Sequence, residues 1–130
     1  MYLYVQNLYI YISLTTQTTQ MKTTTQRVKE IRNELKNVLP AYKFSVTKRH
    51  YNGVTIVILS GPTKLTETHE SVNHYYINES TDPVKRNVLT IIDKIANEGV
   101  SYRETGDYGW QPDFYVNIKI GEYDRYYIQK

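Results

Sequence analysis

The sequence predicts an α+β fold: a two-layer domain with an antiparallel sheet of about four strands and two main helices on one face. Three observations predict it. Thr23–Leu39 and Asp82–Gly99 carry apolar residues at helical spacing between clear end signals. Tyr42–Leu59 and Phe114–Gln129 read as pairs of strands joined by turns. The order is then helix, hairpin, helix, hairpin, and 130 residues suit one domain that can bury a core without covalent staples.

Met1–Gln20 carries no charged side chain; all sixteen Lys and Arg and all thirteen Asp and Glu lie at or beyond Lys22. The stretch lacks the basic start and small-residue cleavage site of a secretory signal. Its apolar part is interrupted by Gln6 and Asn7 and falls short of the roughly twenty residues needed to cross a bilayer. Tyr2–Val5 and Leu8–Ile12 have strand composition, and uncharged segments without proline are prone to aggregate when free. Met21-Lys22 resembles the ordinary start of a cytosolic protein. The expectation is therefore a domain over residues 21–130, placed in the cytoplasm, with residues 1–20 as a leader or an extra edge strand.

Val28, Ile31, Leu35 and Val38 step by three, four and three along the first helix, forming one apolar stripe. Thr23 followed three residues later by Gln26 fits a capping box, and Pro40 stops the helix. Arg27, Lys29, Arg32 and Lys36, offset by Glu30 and Glu34 within helical pairing distance, read as a solvated outer face. Tyr42–His50 alternates with Phe44 and Val46 inward, and Asn52-Gly53 predicts a two-residue hairpin turn. Val54–Leu59, almost continuously apolar, predicts a central strand covered on both faces, ended by Gly61-Pro62.

Thr63–Ser71 reads as a short helix, and Tyr75-Tyr76-Ile77 as a short strand or a packed loop. Asp82 and Pro83 open the second main helix, whose apolar face is Val84, Val88, Ile91, Ile92, Ile95 and Ala96. Gly99 stands where a left-handed terminator belongs. Gly106–Pro112 predicts an irregular loop. Phe114, Val116, Ile118 and Ile120 then alternate inward, and Gly121-Glu122 turns the chain into a last strand over Tyr123–Gln129. The expected core is Val28, Ile31, Leu35, Ile56, Ile58, Val88, Ile92, Ile95, Val116 and Ile118.

The chemistry-bearing residues are sparse. There is no cysteine, which removes disulfides, thiolate nucleophiles and thiolate zinc sites. His69 and His74 lie near Glu67 and Glu70, but a spacing of five does not put two ligands on one helix face. His50 sits at a turn. No nucleophile elbow, His-Glu-x-x-His motif or phosphate loop occurs. The expectation is no enzyme, no catalytic residue, no metal and no cofactor.

Binding remains as the readable function. Tyr is the compositional outlier, with 14 copies against 2 Phe and 1 Trp. Most of these suit a half-buried sheet, but tyrosine is also a common interface anchor. Tyr108 and Trp110, in a Gly-rich loop, and Tyr115, on the outward side of the next strand, are the candidate partner-binding residues. The alternative for Trp110 is a plug closing one end of the sheet. The net charge of +3 gives a rival reading, a nucleic-acid surface of Lys43, Lys48, Arg49, Arg32 and Lys36. A protein partner is preferred, and no membrane is expected.

The run Asp113-Phe114-Tyr115-Val116-x-Ile118-x-Ile120-Gly121-x-Tyr123-Asp124-x-x-Tyr127, with Phe44-Ser45-Val46 and Gly61-Pro62-Thr63, resembles the large polyvalent protein-associated domain 29 family over Gln26–Lys130. The resemblance implies an accessory protein of a phage or other mobile element, acting on element DNA or on a host defence complex, and brings no catalytic residues. The leader and the Tyr- and Trp-rich stretch from Tyr102 to Asp113 depart from the family pattern.

Overall fold

A computed structural model describes residues 23–104, 106 and 109–130. The leader, with its possible extra strand, and Tyr108 lie outside the described residues.

The α+β class holds. Helix α1 (Thr24–Val38) opens with the expected capping box, Thr23 accepting from Gln26 N at 3.1 Å while Gln26 Oε1 accepts from Thr23 N at 2.9 Å. Strands β1 (Lys43–Arg49) and β2 (Gly53–Gly61) pair antiparallel as a hairpin. A short β3 (Glu70–Val72) and a 3-10 segment (His74–Glu79) precede helix α2 (Pro83–Asn97). Asp82 Oδ1 caps α2 by accepting from Val84 N and Lys85 N, and Gly99 follows its end with φ +78°. Next come β4 (Tyr102–Glu104), β5 (Trp110–Pro112), β6 (Tyr115–Ile120) and β7 (Ile128–Gln129).

The main sheet has the order β1-β2-β6-β3, with β7 also on β2. It is mixed, which corrects the all-antiparallel expectation: β2 runs parallel to β6, Gly53 to Ile58 facing Tyr115 to Ile120, and parallel to β7. The physical reason is the connection. A parallel pair needs a long crossover, usually a helix, and α2 lies between β2 and β6. What looked like a second hairpin is therefore one crossover strand, β6, and a two-residue strand, β7, rather than a strand over Tyr123–Gln129.

Other local expectations also change. The first hairpin closes through His50, Tyr51 and Asn52, with His50 at φ +53°, rather than through an Asn-Gly turn. Gly53 is instead a close-approach position, where a Cβ would lie 3.0 Å from Tyr115 O and 3.2 Å from Arg49 O. No helix forms over Thr63–Ser71, whose end joins β3 beside β6. Tyr75–Ile77 is 3-10 helix, with Ile77 buried.

One core unites both helices with the sheet face bearing Val54, Ile56, Ile58, Ile118 and Ile120; from the helices come Val28, Ile31, Leu35, Val88, Leu89, Ile92 and Ala96. Of the expected core residues, Ile95 and Val116 are only partly buried and pack at its margin. Among the described residues no helix is long and apolar enough to cross a membrane.

Candidate partner-binding site

Residues 102–104 and 110–112 form a two-stranded ribbon apart from the main sheet. β4 and β5 pair antiparallel, Tyr102 opposite Pro112, Arg103 opposite Gln111 and Glu104 opposite Trp110. The expected irregular loop is thus half strand, because Trp110–Pro112 finds a partner that the local sequence does not reveal. Strand alternation puts Tyr102, Glu104, Trp110 and Pro112 on one face of the ribbon. An isolated pair of short strands is marginal in water, so its base must be held. Asp113 holds it: its Oδ1 accepts from Ser101 N at 3.0 Å, and its own N donates to Ser101 O at 2.8 Å. Arg27 adds to the clamp, lying 3.9 Å from Asp113 Oδ1 and stacking 4.3 Å over the buried Phe114 ring.

Trp110 stands on this ribbon 68 % exposed and Tyr102 51 % exposed. Trp110 is a surface residue. Tyr115 is 47 % exposed but belongs to β6 of the main sheet, where its N donates to Asn52 O at 2.9 Å beside the β1–β2 turn. Sequence reasoning missed Tyr102, whose link to Trp110 appears only once the ribbon is paired.

The cationic candidates take another edge of the fold. Arg32 donates to Val46 O at 2.7 Å, satisfying a carbonyl of the edge strand β1. Lys43, Lys48 and Arg49 are exposed on β1, and Lys36 is exposed on α1. The charges on α1, which the sequence presents as a mixed solvated face, are in fact sorted. Lys29, Arg32 and Lys36 form a stripe on the β1 side, following the position of Arg32. Arg27, Glu30 and Glu34 form another, which lines an open cleft of about 730 Å³ against Ile95, Ala96 and Glu98 near the end of α2.

The histidines go to separate neighbourhoods. His69 stacks on Tyr126 at 5.7 Å, and His74 lies against Tyr75 at 4.1 Å. Asp93 on α2 has its carboxyl pushed above the usual range by burial, partly opposed by the nearby His74 and by the Asn97 amide. Among the described residues no group of three His, Asp or Glu is placed to hold a metal.

The Gly61-Pro62-Thr63 segment is held by two tyrosines. Tyr42 and Tyr127 converge on it, Tyr42 Oη 2.7 Å from Thr63 Oγ1 and Tyr127 Oη donating to Thr63 O at 2.5 Å. A Cβ at Gly61 would lie 2.2 Å from the Tyr42 ring. No curated protein and no solved structure matches the chain. The model of the family described as large polyvalent protein associated domain 29 does match, over residues 22–112. That range starts slightly before the expected Gln26 and stops short of the Asp113–Tyr127 pattern, whose alternation any half-buried strand shares. The match covers well over half of the 130 residues, and the chain belongs to the large polyvalent protein associated domain 29 family.

Proposed function

We propose that this chain is a non-catalytic binding module, an accessory protein of a phage or other mobile element that holds a protein partner through the β4–β5 ribbon. The observation that carries the reading is Trp110, 68 % exposed on a ribbon clamped at its base by Ser101 and Asp113. A large aromatic left in water on a pre-formed backbone is the usual make-up of an interface anchor: it buries much area with little ordering cost. Tyr102 on the same face supplies a second anchor. Family membership supports the mobile-element setting, and a host defence complex is the class of partner proposed.

The test is capture of proteins from host cells carrying the element, with the native chain and Trp110→Ala as paired baits. A partner held by the native chain should be lost from Trp110→Ala, with a cost of about 2 kcal/mol or more in binding free energy. A partner retained equally by both baits would place the interface elsewhere.

A further inference from the structure

We infer that the α1–β1 edge binds single-stranded nucleic acid, independently of the ribbon. Three observations converge there. First, residues 35–63 contain no Asp or Glu but hold Lys36, Lys43, Lys48 and Arg49. Second, α1 packs beside β1 in the opposite sense, Thr24 Oγ1 donating to Tyr51 O at one end and Arg32 to Val46 O near the middle. This sets the stripe Lys29, Arg32 and Lys36 on the side of the sheet that Lys48 faces, with Arg49 turned to the opposite face of the same edge strand. The carboxylates of α1 turn to the cleft on the other side of the helix. Third, aromatics stand where the edge ends. Tyr51 at the hairpin turn is 83 % exposed, and Tyr115 lies across Gly53 from Arg49.

Cations arranged along a path, with exposed rings at its end, are what an unpaired strand needs. The phosphates follow the cations, and bases stack on the rings without sequence preference. β1 is about 20 Å long, room for several consecutive phosphates. A duplex would use the cations but leave the rings idle, because its bases are already stacked. Charges that merely blunt an exposed sheet edge would account for Lys43, Lys48 and Arg49, but not for the matching stripe on α1 or the rings.

The experiment is fluorescence anisotropy of labelled oligothymidine and oligouridine strands, and of a duplex of equal length, over a salt series. Both single strands should bind at low salt and weaken as salt rises; a preference for one would identify DNA or RNA as the natural strand. The triple variant Lys43→Gln/Lys48→Gln/Arg49→Gln, at exposed positions, should bind at least tenfold more weakly. Its log–log salt slope should be shallower by about 2, at about 0.7 for each phosphate that is no longer neutralised. Tyr51→Ala should weaken binding with an unchanged slope. Circular dichroism of each variant should match the native chain. No binding of either strand at low salt, binding untouched by the triple variant, or tighter binding of the duplex would overturn the inference.

Discussion

At Gly61 the backbone of β2 passes under the Tyr42 ring with no room for a side chain. The 2.2 Å approach that an added Cβ would make forces the ring or the strand to shift, so Gly61→Ala is expected to destabilise the fold by about 1–3 kcal/mol. The check is a lower urea midpoint at unchanged slope. Beside it, burial pushes the Tyr127 phenol up to about 12 from 10.0, with the neighbouring Tyr42 adding to the rise. A group whose folded pKa is raised holds its proton longer in the folded state. Its contribution to stability is fully present below pH 10 and is lost as the pH climbs towards 12. Stability measured across this window should fall more steeply for the native chain than for Tyr127→Phe. At neutral pH that variant should be less stable, since Thr63 O loses its donor. The glycine and both tyrosines are plain in the sequence. Their meeting is not, because Tyr42, Gly61 and Tyr127 lie on three separate segments.

Among the elements, the two helices were legible because their signals are local. Thr23 with Gln26, and Asp82 with Pro83, mark the starts; the apolar spacing marks the buried faces, except at Val38 and Val84, which lie at the helix ends and are exposed. Ile92, fully buried among both helices and the sheet, should cost about 2–5 kcal/mol when cut to Ala. Thermal unfolding of Ile92→Ala measures this, and a loss below about 0.5 kcal/mol, the range of ordinary surface positions, would contradict the packing of α2. The strands were legible only in part. Alternation at Phe114–Ile120 tells which side chains point inward, but carries no direction and no partner. The parallel pairing of β6 with β2 and the pairing of Trp110–Pro112 with Tyr102–Glu104 therefore had to come from the structure.

On the scale of the whole molecule, the base of the ribbon and the exposed rings Tyr51 and Tyr115 proposed as contacts lie toward one end. The start of α1, the β1–β2 turn, the start of β6 and the base of the ribbon meet there, tied by Thr24 to Tyr51, Asn52 to Tyr115 and Arg27 to Asp113. Trp110 and Tyr115 were readable as candidates because helical or inward strand spacing did not account for them. Tyr102 and the sorted charges of α1 were not, because each depends on which face a neighbouring element covers. The central claim is that Trp110 is an interface anchor standing in water. Trp110 is the only tryptophan, so its fluorescence reports on that one side chain. The direct measurement is collisional quenching of this emission by acrylamide, in the free chain and in the complex with its captured partner. Ready quenching when free and strong protection in the complex is the predicted result; a tryptophan already shielded when free, or equally quenched in both, would contradict it.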